Sequence, residues 1–146
     1  MSYDKPSFEP EFVNEPRASY GSLVRSHRYL RVYQRAFGFA HDIYLISKAF
    51  PAEERFELTS QIRRSSRSVC ANIAEAWRKR RYKPAFISKM SDSETEAGET
   101  QTWLEFAKVE EFMTPEEAER LWQEYESLIA TIVGISLNAD KWVMKA

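Results

Sequence analysis

Glycine is scarce, at four residues in 146. An all-β fold needs many tight turns, so the shortage favours long helices with few connections. Cysteine occurs once, at Cys70, which excludes an intrachain disulfide. Its simplest role is that of a small buried hydrophobe. His27 and His41 are the two histidines, and neither follows a glutamate three residues earlier. The Glu-x-x-His pairs of di-metal bundles are therefore missing, and a four-ligand zinc site cannot be assembled. The glycines are isolated, so no loop is available to cradle a phosphate. Neither cofactor nor metal is expected, and no catalytic set emerges. Long apolar runs are also missing. Leu128–Leu137 is broken by Thr131 and Ser136 and falls far short of the ~20 residues of a membrane span. The N-terminus has no apolar signal core. The expectation is a cytoplasmic protein with no membrane partner.

What the chain does have is segregated charge. The total is −1. From Arg55 to Lys89, ten cations face only Glu57 and Glu75, a balance of +8. From Asp92 to Glu126, twelve acids face only Lys108 and Arg120, a balance of −10. A near-neutral total thus leaves room for a basic surface that binds polyanions. It leaves room equally for basic and acidic helices that neutralise one another.

The centre of the chain is Leu58–Lys83, LTSQIRRSSRSVCANIAEAWRKRRYK. At 100° per residue, Leu58, Ile62, Ser66, Val69, Ile73, Ala76 and Trp77 share a core-facing stripe. Gln61, Ser65, Ser68, Asn72 and Glu75 form a polar flank. Within it, Gln61, Asn72 and Glu75 are read as a structural polar network that fixes helix register, since a buried glutamate needs a partner. Arg63, Arg64, Arg67 and Arg78 project opposite the core, and Lys79, Arg80, Arg81 and Lys83 follow. Cys70, Ala71 and Ala74 lie off the core stripe, and small residues there suit close approach by another helix. A helix apolar around its girth is usually buried around it, which argues for a homo-oligomer.

Residues 1–28 read as a loosely ordered arm with Pro6, Pro10 and Pro16. Residues 29–138 read as a four-helix bundle and 139–146 as a C-terminal tail, of which Lys141–Ala146 should fray. The first helix is expected over about Tyr29–Phe50, with Tyr33, Phe37, Ala40, Ile43 and Tyr44 on its apolar face. Pro51 ends it, and Pro51–Glu54 makes one helical turn. Phe56 and Leu58 then pack down, and Thr59 caps the second helix. A third helix runs over about Ala85–Phe112, where Gly98 is read as marking a close helix crossing. Thr114-Pro115-Glu116-Glu117 opens the fourth, with threonine as cap and proline at N1. Helices of this length joined by short links imply an all-α, up-down-up-down antiparallel four-helix bundle.

The basic run has two readings. Cations suit the negative end of a helix dipole. They also suit phosphate contacts, with Tyr82 available for stacking. The second reading makes Arg63, Arg64, Arg67, Arg78, Lys79, Arg80, Arg81 and Lys83 a nucleic-acid-binding set, with RNA or DNA as partner.

The run FPAEERFELTSQIRRSSRSVCANIAEAW resembles the signature of bacterial four-helix-bundle proteins encoded in 23S rRNA intervening sequences. Phe50-Pro51, Glu54, Leu58-Thr59, Gln61-Ile62-Arg63-Arg64, Ser68-Val69 and Asn72-Ile73-Ala74-Glu75 carry the likeness, and Glu96–Leu104 extends it. The resemblance implies a homopentamer and a relative that binds nucleic acid while assisting the reverse transcriptase of diversity-generating retroelements. Ala76 departs from the usual glycine, which implies a second helix continuing into the basic run.

Overall fold

A computed structural model describes residues 25–145; the arm proposed for residues 1–28 lies almost wholly outside them. Among the described residues four α-helices carry the fold: α1 (Arg31–Ser47), α2 (Leu58–Arg78), α3 (Lys83–Val109) and α4 (Pro115–Leu137). Short 3-10 turns cover His27–Tyr29, Ala52–Glu54 and Ala139–Lys141.

Side-chain contacts fix the directions of the helices. Between α2 and α3, the Ser65 and Thr100 hydroxyls meet at 2.8 Å and the Ser93 hydroxyl donates to the Val69 carbonyl at 2.9 Å. Near the far end of α2, Glu75 meets Lys89 at 2.9 Å. As α2 numbers rise, α3 numbers fall, so the pair is antiparallel. Lys108 on α3 reaches Glu119 on α4, and Gln101 reaches Glu126. Arg35 donates to Thr131, while Asp42 accepts from Arg120. Each neighbouring pair runs oppositely, which is the up-down-up-down order expected from short links.

The core stripe of α2 is buried throughout, with Ile62 and Val69 at 0% exposure and Ile73 and Trp77 at 1%. Phe86, Met90 and Leu104 from α3 and Leu121, Leu128 and Ile132 from α4 close over it. Ser65 and Cys70, expected outside the core stripe, are buried as well. Helices α3 and α1 flank α2, so its hidden arc is wider than one stripe. Burial pushes the Cys70 thiol up to about 12, so this cysteine is inert at neutral pH.

Helix boundaries follow local chemistry. Thr114 caps α4 by accepting from the Glu117 N–H at 3.2 Å, with proline in the first turn. Helix α3 ends in a Schellman-type turn. Glu111 adopts φ 61° and the Phe112 N–H donates to the Ala107 carbonyl at 2.9 Å. No glycine marks that stop.

Several expectations are corrected. Helix α1 closes at Ser47, because the Lys48, Ala49 and Phe50 amides bond only three residues back. Its inward residues are Val32, Ala36, Ala40 and Ile43, while Tyr33 and Tyr44 lie at the margin and Phe37 is exposed. Thr59 is not the α2 cap. The Glu54 carboxylate accepts from the Leu58 N–H at 3.1 Å, and the Thr59 side chain is buried. Phe56 does not pack down but is 84% exposed. Helix α2 stops at Arg78 rather than entering the basic run. The tail does not fray along its described length. Ala139 is buried, Trp142 and Val143 pack on the core, and the Met144 N–H donates to the Arg80 carbonyl at 3.0 Å.

Gly98 is not a helix crossing, because a Cβ built there meets nothing within 4 Å. Without a close neighbour, it retains only the backbone-entropy cost of glycine. Urea unfolding should show Gly98→Ala stabilising by about 0.5–1 kcal/mol. In the same assay Ile62→Ala should destabilise by about 2–5 kcal/mol. Destabilisation by Gly98→Ala would restore the close-crossing reading.

Candidate nucleic-acid interface

At 100° and 1.5 Å per residue, Arg64, Arg67 and Arg78 fall on one outward stripe of α2, with Arg63 at its α1 edge. Ser60 and the exposed Ala71 share that stripe. The cations form two groups about 16 Å apart along the axis, counted from Arg67 to Arg78.

The first group is built by two helices. The Arg63 Nε donates to the Ser47 hydroxyl at 2.7 Å, and its guanidinium lies 4.9 Å from the centre of the Tyr44 ring. Arg67 approaches the same ring at 5.7 Å and Lys48 at 4.8 Å. Three cations thus gather round one phenol. Cation–π attraction at exposed sites is worth about 0.5–1 kcal/mol each, which offsets part of their mutual repulsion. Beside them an open groove is lined by Arg55, Phe56, Thr59, Ser60, Arg63, Arg64, Arg67, Ser68 and Ala71. Arg55 lies 5.3 Å from the centre of the exposed Phe56 ring.

The second group is the α2–α3 turn. Arg80 folds back so that its Nε donates to the Trp77 carbonyl at 2.8 Å, and its guanidinium sits 3.4 Å from the Trp77 ring centre. It satisfies a helix-end carbonyl, and burial lowers its pKa, with Arg78 adding to the effect. Lys83 pairs with Asp140 at 2.7 Å. Both side chains are largely exposed, so this pair adds little stability. Arg78, Lys79 and Arg81 are exposed, as is Tyr82 at 66%.

Of the eight basic residues picked from the sequence, Arg64, Arg78, Lys79 and Arg81 are therefore left to solvent, while Arg63, Arg67, Arg80 and Lys83 are engaged. Among the described residues, Arg55, Arg63, Arg64, Arg67, Arg78, Lys79, Arg80 and Arg81 form no ion pair with a carboxylate. Among the described residues, the two segments are joined by the Lys89–Asp92 ion pair alone. Lys89 bridges Glu75 and Asp92, and Lys108 reaches Glu119. Glu96 has a raised pKa, first from burial and then from the hydrogen bond and charge of Glu99; Arg64 opposes this only through its charge.

The proposed network of Gln61, Asn72 and Glu75 is not brought together. Gln61 is exposed, Asn72 donates to the Ser68 carbonyl one turn back, and Glu75 is spent on Lys89. Its flank lies at the outer edge of the α2–α3 seam, and only Ser65 turns inward. Hydroxyls, not amides and carboxylates, form the buried polar contacts there. Tyr44, Lys48, Arg55 and Phe56 have no place in the site expected from sequence. Tyr44 and Lys48 are spaced i, i+4 on one helix, a signal that was present but had no partner until α1 was set beside α2.

An all-α bundle with a cationic, uncompensated helix face defines the class of protein. Residues 28–134 match the 23S rRNA-intervening sequence protein family, and the chain belongs to that family. A solved relative is the crystal structure of a protein of unknown function from the S23 ribosomal protein family of Bacteroides thetaiotaomicron VPI-5482. It aligns with a TM-score of 0.65 and 30% identity, covering 72% of this chain and 94% of that one. No curated protein matches. Among the described residues no helix is long and apolar enough to cross a membrane, and no His, Cys, Asp or Glu group could hold a metal.

The basic end of α2 leaves a measurable mark on His27. Burial lowers its pKa below 6.5, and Arg78 and Arg28 lower it further. Below pH 6.5 the unfolded chain takes up the proton first, so stability falls as pH falls through and below that value. NMR titration should place the His27 midpoint below 6.5, and Arg78→Ala should raise it. A midpoint that does not respond to Arg78→Ala would separate His27 from the cationic end.

Proposed function

We propose that this is a non-enzymatic, oligomeric helical-bundle protein that binds RNA or another nucleic acid through the outward face of α2 and the turn that follows. The observation carrying the reading is that, among the described residues, the arginines of that face have no ion-pair partner, although twelve acids stand on α3, α4 and their link. Arginines left unpaired beside exposed Phe56 and Tyr82 combine phosphate attraction with stacking surfaces. Ala71, exposed between the two groups, leaves the backbone of α2 open to close approach by a ligand or a neighbouring copy. The family resemblance supports a homopentamer and, as a further partner, a reverse transcriptase. Base-edge readout is not built into such a face, so binding is sequence-tolerant.

Retention of a single-stranded RNA should fall steeply with salt. Charge reversal of Arg64, Arg67, Arg78 and Arg81 should weaken it at least tenfold at low salt and flatten the salt slope by roughly 0.7 per lost contact. Arg80→Glu is excluded from that set because Arg80 caps α2. Unchanged retention by the folded variant would overturn the reading.

A further inference from the structure

We propose that the α2 groove is the docking site of the chain's own N-terminal segment Phe8–Glu15, which covers the arginines there. The segment reads Phe-Glu-Pro-Glu-Phe-Val-Asn-Glu, with Glu9, Glu11 and Glu15 and no cation, a balance of −3. The groove offers the complement. Arg63, Arg64 and Arg67 line it without a carboxylate partner, and Phe56 stands 84% exposed at its mouth. Carboxylates on guanidinium forks give charge-assisted hydrogen bonds. The rings of Phe8 and Phe12 cover Phe56, whose exposure has no other cover among the described residues.

The reach is sufficient. His27 lies within the field of Arg78, so the N-terminal segment joins the bundle at the far end of α2. From Arg78 back to Leu58 is about 30 Å along the helix. Extended chain from Arg25 back to Glu15 spans up to about 33 Å, and back to Phe12 about 43 Å. The docking itself is independent of the nucleic-acid reading. Its consequence, that the acidic strap competes with a polyanion for the same arginines, rests on that reading.

A photo-crosslinking benzoyl group on the Phe12 ring of the full-length protein tests the docking without nucleic acid. Irradiation at low salt should give a product of single-chain mass, joined to peptides within residues 55–71. Glu9→Gln, Glu11→Gln and Glu15→Gln together should reduce its yield severalfold, as should high salt. Crosslinks elsewhere on the chain, products between copies only, or a yield indifferent to the three substitutions would overturn the proposal. The same triple variant without the probe should bind single-stranded RNA severalfold more tightly than the parent. A groove crosslink with no such gain upholds the docking and counts against the nucleic-acid reading.

Discussion

A buried hydroxyl pair sets the frame on which the surface of α2 depends. Ser65 and Thr100 meet at 2.8 Å in the seam between α2 and α3, with 2% and 0% of their surfaces exposed. Each hydroxyl also has a carbonyl acceptor in its own helix, Glu96 for Thr100 at 2.9 Å and Ile62 for Ser65 at 3.4 Å, so either can donate to the other. One turn along, Ser93 donates to the Val69 carbonyl. A buried hydroxyl without a partner costs about 1–3 kcal/mol, so sliding α3 along α2 would break both contacts and orphan Ser93, leaving Ser65 and Thr100 only the Ile62 and Glu96 carbonyls of their own helices. On the opposite flank the Arg63–Ser47 bond ties α2 to α1. Held on two sides, α2 has one arc left for water, and Arg64, Arg67 and Arg78 occupy it.

The fold was legible because its cues are local. Thr114-Pro115 stops and starts the chain whatever lies around it, and the Ile62–Val69–Ile73 spacing needs only helical geometry. Errors arose where a neighbour decides. Phe56 reads as core by composition, yet no helix among the described residues covers it. Phe37 reads as the apolar face of α1, whereas the small Ala36 and Ala40 face inward and allow close packing. Glu111 enters the left-handed region without the glycine that would have signalled it. At the interface, the sequence showed which residues were cationic but not which were spent. Arg80 turning onto Trp77, Lys83 pairing with Asp140, and Tyr44 gathering three cations all depend on tertiary placement.

Charge segregation along the chain could have been neutralised by packing a basic helix against acidic ones, and the bundle does so only at its margins. Lys89 and Lys108 take acidic partners, while Arg67 and Arg78 turn away from α3 and Arg64, nearer to it, meets Glu96 only through its charge. That division accounts for a protein of net charge −1 carrying a cationic face. Membership of the 23S rRNA-intervening sequence protein family rests on the same stretch, since the matched residues 28–134 contain all of α1, α2 and α3 and most of α4.

The most direct test of this frame is a double-mutant cycle on Ser65→Ala and Thr100→Val, measured by urea unfolding. A hydroxyl pair that fixes helix register predicts a coupling energy of about 0.5–1.5 kcal/mol. Strictly additive effects would contradict it, because the two side chains would then stabilise their own helices without joining them.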